Sequence, residues 1–262
     1  MSRKGRLTVV GTGIQAVAHC TLEAKLAIER ADVVFTQIPD PLGLHWVREL
    51  NGKVVPLNDL YDSEPDRAHA YVAMADRIVD ALRQGQEVCA AFYGHPGVFV
   101  DPSHDAVARA RAEGFEARML PGISAEDCLF ADLGVDPAEV GCQAFEATSF
   151  LFYRRGWDPA ACLVLWQIGV AGDHTLKRRE PAPGALAALR DKLLAQYPAQ
   201  HPVAVYEAAT SPFVLPRIEW MALEELGEAA VSGISTLFIP AHGRPALDEA
   251  ILQRLHLRAE DV

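Results

Sequence analysis

The sequence predicts an α/β fold in two lobes, and three observations carry that prediction. Short apolar, strand-like runs alternate with helical stretches through the first half of the 262-residue chain, a pattern typical of α/β units on a mainly parallel sheet. Half of the residues are hydrophobic, which is enough for a sizeable core. Several consecutive strands near the C-terminus indicate a mixed sheet. We therefore expect an N-terminal α/β lobe over 1–121 and a C-terminal α/β lobe over 122–262.

The elements in the first half of the chain are marked by capping residues and glycines. Thr21 is a predicted N-cap with Glu23 in the first turn, and Ser124 is a second predicted N-cap with Asp127 at the N3 position. Gly85 and Gly114 are predicted helix stops. The order is strand 7–11, helix 22–31, strand 33–38, strand 54–57, helix 66–84, strand 88–92, helix 103–113, strand 115–120 and a helix from Ser124 through Leu129.

The second half shows the same style with weaker boundaries. Its predicted strands are 143–147, 162–168, 203–208, 217–221 and 236–240, and its predicted helices are 182–196 and 245–255. Ligands of open α/β sheets bind beyond the carboxyl ends of strands, so a cleft between the lobes is the expected binding place.

Charge and cysteine content exclude some functional classes. With 35 acidic against 24 basic residues and a net charge of -11, we expect neither nucleic acid nor a membrane as a partner. The N-terminal apolar run is too short for a signal peptide, and no stretch approaches a membrane span. The cysteines form no C-x-x-C pair, so we expect reduced core cysteines in a cytoplasmic protein: Cys20, Cys89, Cys128, Cys142 and Cys162.

A glycine motif follows the first predicted strand. Gly11, Gly13 and Ala16 match the dinucleotide pattern G-x-G-x-x-G/A. The match is weak, because Asp32 stands before the second strand and not at its end, where the pattern requires an acidic residue. A tight strand-to-helix turn explains the glycines as well, and a cofactor approaching that turn is an intermediate reading.

Glycine and proline recur at three later strand ends, over 94–97, 121–125 and 233–236. These turns are uncharged and no Walker lysine follows them, so they suit a neutral, adenosine-like or amino-acid-like ligand better than a polyphosphate. Each turn taken alone is more often only a turn. His95 is interpreted as a loop histidine, because no second ligand stands at metal spacing, and no metal site is expected.

A tyrosine and an arginine form the strongest chemical pair. Arg67 and Tyr71 are four residues apart and share one face of the predicted helix, with Tyr61 just upstream. A guanidinium beside a phenol favours the phenolate, which would be a usable base. The simpler alternative is a tyrosine ring that packs against an arginine.

Three motifs in this order resemble one family: GTG at 11–13, YGHPGVF at 93–99 and PGISAEDCLFADLG at 121–134. The chain resembles the tetrapyrrole methylase superfamily, and within it the borosin-type peptide backbone α-N-methyltransferases of the split, bacterial kind, whose precursor peptide is a separate chain. VLWQI at 164–168, VYEA at 205–208 and ISTLFIP at 234–240 extend the resemblance over nearly the whole chain. It implies a two-lobed fold with S-adenosylmethionine in a cleft between the lobes.

The resemblance also implies residue roles. Tyr61, Arg67, Tyr71 and Tyr93 match the catalytic tyrosines and arginine. S-adenosylmethionine is the implied cofactor and S-adenosylhomocysteine the implied product, and the matched cofactor-binding residues are Pro96, Gly97, Val98, Phe99, Ser124, Ala125, Gln167, Tyr206, Ile234, Ser235 and Thr236.

Two departures shape the expected substrate. The first loop lacks the Pro-Gly-Asp of ordinary tetrapyrrole methylases, which weakens a porphyrinoid substrate. The sequence ends at Val262 without the clasp and substrate tail of fused borosins, so the expected partner is a separate precursor peptide. The family implies a homodimer or a heterotetramer with two precursor chains, and Trp157 or Trp220 are candidate exposed contacts. A tetrapyrrole C-methyltransferase and a non-catalytic peptide-binding relative remain alternatives.

Overall fold

The computed structural model describes residues 5–15, 17–173 and 178–261. These residues fold into two compact units. The first comprises residues up to Val135 together with Glu207–Arg217, and the second comprises 136–173, Arg178–Tyr206 and 218–261. Residues 122–135 thus belong to the first unit, whereas the sequence placed them at the start of the second lobe; a division into independent lobes at 121 stays a prediction.

The first unit is built on a parallel sheet, as the sequence predicts. Its described strands follow the order β3-β2-β4-β1-β5, and each neighbouring pair is parallel. Their carboxyl ends therefore meet at one edge. The strands are β1 (Arg6–Gly11), β2 (Val33–Gln37), β3 (Val54–Pro56), β4 (Glu87–Phe92) and β5 (Glu116–Met119).

Helices cover both faces of this sheet, because alternate strand residues are apolar on each side. One core layer joins Leu7, Phe35 and Phe92 to buried side chains of α4 and α5, and the other joins Val10 and Val34 to α1 and α2. The helices of this unit are α1 (Leu22–Arg30), α2 (Pro41–Leu50), α3 (Leu60–Ser63), α4 (Arg67–Arg83), α5 (Asp101–Ala112) and α6 (Ala125–Leu133).

The second unit holds the mixed sheet that the sequence predicts. Its order is β6-β7-β10-β8-β9, with β6 parallel to β7 and β10 antiparallel to both β7 and β8. Its elements are α7 (Pro137–Val140), β6 (Cys142–Glu146), α8 (Ala147–Phe152), β7 (Cys162–Trp166), α9 (Ala185–Leu193), β8 (Pro202–Glu207), β9 (Arg217–Ala222), β10 (Thr236–Ile239) and α10 (Glu249–Arg254), with 3-10 turns at Ile168–Val170, Leu223–Glu228 and Ala259–Asp261.

Helix α2 is absent from the elements that the sequence predicts. Pro41 and Gly43 suggest a loop, but Asp40 caps the helix by accepting from the backbone N–H groups of Leu42 and Gly43, and proline is well tolerated at the first helical position. The short helices α3, α7 and α8 are absent from the predicted elements as well. Strand β7 ends two residues earlier than predicted, because Gln167 takes a positive φ of 60°.

The structure distinguishes the two tryptophans that the sequence proposed as exposed contacts. Trp157 is not an exposed contact: it packs on Phe150 at 5.1 Å between ring centroids, against the core of the second unit. Trp220 is half-exposed, with its ring edge-on to Phe238.

All five cysteines are free thiols. Within the described ranges, no helix is long and apolar enough to cross a bilayer.

Candidate active site

Three glycine-containing turns meet at the carboxyl edge of the first sheet. Gly13 and Gly94 form an antiparallel bridge, with N···O distances of 3.2 and 3.0 Å. A Cβ atom at Gly11 would overlap the carbonyl oxygen of Gly94 and lie 2.8 Å from Pro96 Cδ. A Cβ at Gly122 would lie 3.3 Å from the same carbonyl oxygen. These glycines therefore allow the turns after β1, β4 and β5 to pack backbone to backbone.

This arrangement is not a dinucleotide-binding turn. The helix after Gly11 begins only at Leu22, whereas the dinucleotide motif opens its helix directly. Strand β1 lies between β4 and β5, whereas in the Rossmann order the first strand lies beside the second. The third motif residue, Ala16, lies outside the described residues. The glycines serve the contact with the 94–96 turn.

The turn over 95–99 is held by its own side chains and by α5. The N–H of Gly97 donates to His95 Nδ1 at 2.9 Å, and the N–H of Val98 donates to the carbonyl of His95 at 3.1 Å. Phe99 has a positive φ of 56° and stays 50% exposed. Non-glycine residues in this region are uncommon and cluster at functional sites.

Two tyrosines and a glutamine form a cluster on the same sheet edge. The rings of Tyr61 and Tyr71 meet edge to face with centroids 6.2 Å apart. Gln37, the last residue of β2, donates from Nε2 to Tyr61 Oη at 3.3 Å. Tyr71 packs against the core layer below α4, and Arg67 is the first residue of that helix. The predicted Tyr61, Arg67 and Tyr71 are thus brought onto neighbouring elements.

The phenol of Tyr61 has a higher pKa than an ordinary tyrosine. Burial of part of the ring is the main cause that raises its pKa to about 12; the neighbouring Tyr71 contributes to the rise, and Arg67 acts in the opposite direction. At neutral pH, Tyr61 is a neutral hydroxyl that can donate a hydrogen bond.

This pKa gives a stability prediction at high pH. An unfolded tyrosine ionises near pH 10, so native Tyr61 holds its proton longer than the unfolded chain does. The stabilisation is present below that pH and is lost as pH rises towards about 12. We expect the stability of Tyr61→Phe to fall less steeply between these values than that of the wild type, measured by denaturant unfolding at a series of pH values. Equal slopes would contradict the assignment.

The contacts and the pKa of Tyr93 depend on neighbours other than those of Tyr61. Its backbone N–H donates to the carbonyl of Gln37 at 3.1 Å. Burial is the main cause that raises the pKa of its phenol to about 12, and the nearby Cys128 and Asp40 contribute to that rise. The groups that act on Tyr93 are therefore those of α6 and of the α2 cap, and the structure does not group it with Tyr71 and Arg67 as it groups Tyr61. Tyr93 is also a neutral donor at neutral pH.

Ser124 caps α6, as predicted. Its Oγ accepts from the N–H groups of Glu126 and Asp127 and donates to Asp127 Oδ2 at 2.7 Å, while its own N–H donates to the same oxygen. This is a complete capping box. The hydroxyl is committed to the cap, so a ligand at Ser124 and Ala125 would meet chiefly backbone groups.

Removal of this cap has a predictable cost. Ser124→Ala is expected to lower the free energy of unfolding by about 1 kcal/mol, because two N–H groups of the first turn lose their acceptor. Ser124→Thr keeps the hydroxyl and serves as the matched control. Chemical denaturation of both variants measures the difference, and an alanine variant as stable as the threonine variant would refute the role.

The predicted residues of the second unit meet at one end of its sheet. Thr236, at the start of β10, pairs with Tyr206 near the end of β8. The N–H of Ile168, directly after Gln167, donates to the carbonyl of Ser235 at 3.1 Å. Tyr206, Ser235 and Thr236 are buried, whereas Ile234 is 57% exposed. Gln167, Tyr206 and 234–236 therefore form one cluster within this unit.

Gln37 is the residue of the site that sequence reasoning missed. The sequence pattern marks it only as the position where a dinucleotide-binding acidic residue is lacking. Its place at the carboxyl end of a central parallel strand was an available signal, because functional side chains of such sheets concentrate there.

A family model described as Tetrapyrrole (Corrin/Porphyrin) Methylases matches residues 6–219. The chain belongs to this family. Two proteins are similar to this chain over nearly its whole length. The methyltransferase/ribosomally synthesized cyclic peptide gymnopeptides precursor of Gymnopus fusipes is 40% identical over 265 residues, with 98% of this chain and 62% of that protein covered. The methyltransferase/ribosomally synthesized type I borosin cyclic peptide precursor of Serendipita vermifera subsp. bescii is 39% identical over 264 residues, with 98% and 64% covered.

The resemblance to borosin methyltransferases is thereby confirmed, and the chain spans less than two thirds of the length of these two relatives. Solved structures confirm the fold. Uroporphyrin-III-C-methyltransferase from Thermus thermophilus aligns with a TM-score of 0.66 at 21% identity, covering 91% of this chain and 93% of that one. The structure described as its complex with S-adenosyl homocysteine aligns at 0.61 and 19%, covering 90% and 92%.

Proposed function

We propose that this protein is an S-adenosylmethionine-dependent methyltransferase that N-methylates backbone amides of a ribosomal precursor peptide. The observation that carries the proposal is the identity of about two residues in five, along nearly the whole chain, with proteins named as methyltransferases joined to cyclic peptide precursors. The tyrosine cluster at the carboxyl edge of the first sheet supports it, because amide methylation needs help from a base and from hydrogen-bond donors.

The residues at the turns fit the cofactor. The segments 11–13, 94–99 and 121–125 contain no lysine, arginine, aspartate or glutamate. Backbone groups and apolar side chains therefore dominate there, with Val98 and Phe99 exposed. That set suits an adenosine joined to an amino acid and gives no countercharge to a polyphosphate. In the second unit, Ile234 is exposed, and a Cβ at Gly233 would meet open space.

Within the first unit, Pro96, Gly97, Val98, Phe99, Ser124 and Ala125 are the proposed cofactor contacts. Gln167, Tyr206, Ile234, Ser235 and Thr236 are those of the second unit. S-adenosylmethionine supplies a methyl group on a sulfonium sulfur, which makes sulfur a good leaving group and leaves S-adenosylhomocysteine as product. In the overall reaction a nitrogen–carbon bond forms, the sulfur–carbon bond breaks with its electron pair remaining on sulfur, and the amide proton is released.

The amide nitrogen is a poor nucleophile, because its lone pair is delocalised into the carbonyl. A base that takes the amide proton and donors that stabilise charge on the oxygen both offset this. Tyr71 is the proposed base, and Arg67, four residues earlier on the same helix, is the group proposed to assist it. Arg67 stands in the first turn of α4, where the helix dipole disfavours a cation. Because an arginine at that helix end is unfavourable for the helix itself, its presence favours a chemical role over a structural one.

The oxygen of the amide needs neutral donors. Tyr61 and Tyr93 are the proposed donors, since the pKa of each phenol is raised to about 12 and each keeps its proton at neutral pH. Gln37 donates to Tyr61 Oη, which holds that hydroxyl in place beside Tyr71. Positioning and donation by these groups would supply much of the rate.

The partners follow from the same proposal. The substrate is a separate precursor peptide, as in the split, bacterial type. The assembly is a cytoplasmic homodimer, or a heterotetramer when two precursor chains are bound, without nucleic acid or membrane.

A tetrapyrrole C-methyltransferase is the second candidate. The name of the matching family and those of the solved structures favour it, but at 19–21% identity those structures support the fold alone. A non-catalytic peptide-binding relative is the third.

The test is intact mass of the short peptide encoded beside this gene, after incubation with the protein and S-adenosylmethionine, with fragmentation to place each methyl group. Methyl groups on backbone nitrogens are the expected result. A parallel incubation with uroporphyrinogen serves as the contrast, and mass gain there alone would replace the peptide proposal with the tetrapyrrole one. Calorimetry with S-adenosylhomocysteine completes the set: binding of that product together with an unmodified but bound peptide would indicate the non-catalytic relative.

A further inference from the structure

Gly97 is unusual in that an imidazole faces each of its two backbone polar groups. Its N–H donates to His95 Nδ1 at 2.9 Å, and its carbonyl oxygen lies 2.9 Å from His104 Nε2. His95 stands two residues before it in the turn, and His104 is in the first turn of α5. One residue's backbone is thus fixed from both sides.

The hydrogen-bonding roles follow from the acceptors. A carbonyl oxygen can only accept, so His104 must carry a proton on Nε2. A backbone N–H can only donate, so His95 must have a bare Nδ1, and its proton is on Nε2. Both bonds exist together only for these protonation states.

Ser103 fixes the preceding residue. Its side chain is fully buried, and its Oγ is within hydrogen-bond distance of the carbonyl of Pro96 and lies 2.7 Å from the carbonyl of Val100. Neighbouring residues 103 and 104 of α5 therefore contact the carbonyls of the neighbouring residues 96 and 97.

The identity of residue 97 agrees with this arrangement. A Cβ there would lie 3.0 Å from Met119 Sδ and 3.2 Å from His95 Cε1. A side chain at this position would crowd His95 and Met119, which would have to move by a few tenths of an ångström. The absence of a side chain at 97 therefore favours the close contact with His95.

We propose that His95, Ser103 and His104 are positioning residues that hold the 96–99 turn in its cofactor-binding conformation. The inference rests on the proposed function, because it takes that turn as a cofactor contact. The turn carries the positive φ of Phe99, a conformation that costs free energy and that surrounding contacts must maintain. A turn released from these contacts would have to be ordered again when the cofactor binds, which lowers affinity.

The experiment measures S-adenosylhomocysteine affinity by calorimetry, without peptide or turnover. His104→Phe keeps a ring but loses the donor, and we expect it to weaken binding about tenfold, the effect of one lost hydrogen bond. His104→Gln places an amide nitrogen near the position of Nε2, and we expect affinity within about threefold of wild type. His45→Phe, on the exposed surface of α2, is the matched control and should bind as the wild type does.

The second arm uses the other side of Gly97. His95→Asn offers a side-chain oxygen to the N–H two residues on, as in an Asx turn, and should retain affinity, whereas His95→Leu should lose about tenfold. Thermal unfolding without ligand checks that each variant folds. Under steady-state conditions, the KM for S-adenosylmethionine should rise in His104→Phe and His95→Leu while the KM for the peptide is unchanged.

The outcomes separate the two proposals. The positioning role is wrong if folded His104→Phe and His95→Leu bind S-adenosylhomocysteine as the wild type does. It is also wrong if His104→Gln and His95→Asn lose as much affinity as His104→Phe and His95→Leu. In either case the proposed function stands. If the folded wild type itself binds no S-adenosylhomocysteine, the proposed cofactor site is wrong, and the positioning proposal falls with it.

Discussion

Tyr71→Phe is expected to slow peptide methylation by about a hundredfold or more, the range lost when a general base is removed, while affinity for S-adenosylhomocysteine stays within about twofold of wild type. The ring remains, so its edge-to-face contact with Tyr61 and its packing against the core layer of α4 are preserved. Only the hydroxyl that is proposed to take the amide proton is lost. The single-turnover rate, followed by intact mass of the precursor peptide, measures the effect.

The control for this variant is Tyr153→Phe, which removes a hydroxyl from an exposed tyrosine of the second unit. It should methylate at the wild-type rate. Full activity of Tyr71→Phe would remove Tyr71 from the role of base and leave Tyr61 or Tyr93 to be tested next, although the raised pKa of each makes it a poor base near neutral pH.

Arg67 offers a second check on the same assignment. If its guanidinium acts by stabilising the Tyr71 phenolate, Arg67→Ala should slow methylation, but the double variant with Tyr71→Phe should be hardly slower than Tyr71→Phe alone. Residues that act as one unit give such non-additive losses. Strictly additive losses would instead mean that Arg67 contacts the substrate independently, and its role would be reassigned.

Gly169→Ala is the prediction with the largest effect on stability. A Cβ at this position would overlap the carbonyl oxygen of Ser232, which is backbone and cannot rotate away. We expect the free energy of unfolding of the second unit to fall by about 3 kcal/mol, the upper part of the range for overpacking. The flanking Ile168 donates to the carbonyl of Ser235, so the proposed cofactor contacts at Gln167 and Ser235 should shift with it.

Gly233→Ala is the matched control, since a Cβ there would have nothing within 4 Å. It lies in the same loop as Ser232 and should change stability by no more than about 0.5 kcal/mol. Urea titration compares the stability of the two variants, and calorimetry with S-adenosylhomocysteine follows the shift of the cofactor contacts in Gly169→Ala. Equal stability of both would show that the 168–170 and 232–235 segments are not packed as described.

The predictable part of this fold has a common local cause. Thr21 and Ser124 cap helices because a short hydroxyl side chain before a helical run can accept from the free N–H groups of the first turn, and both caps are present. Helix α2 was not predicted, because its proline and glycine are read as breakers when they stand alone. Its formation depends on Asp40 satisfying the first N–H groups and on Val47 reaching the core.

The sequence by itself determined the alternation of strands and helices, the parallel and mixed sheets, and a family resemblance carried by three short motifs. These are set by local periodicity, capping and turn residues, all of which lie within a few positions of one another. Only the tertiary structure decided that the turns after β1, β4 and β5 pack backbone to backbone, that Gln37 reaches Tyr61, and that His95 and His104 face the two sides of Gly97. Residues far apart in the chain meet because parallel strands bring their carboxyl ends to one edge, and spacing along the sequence does not encode which side chains face each other there.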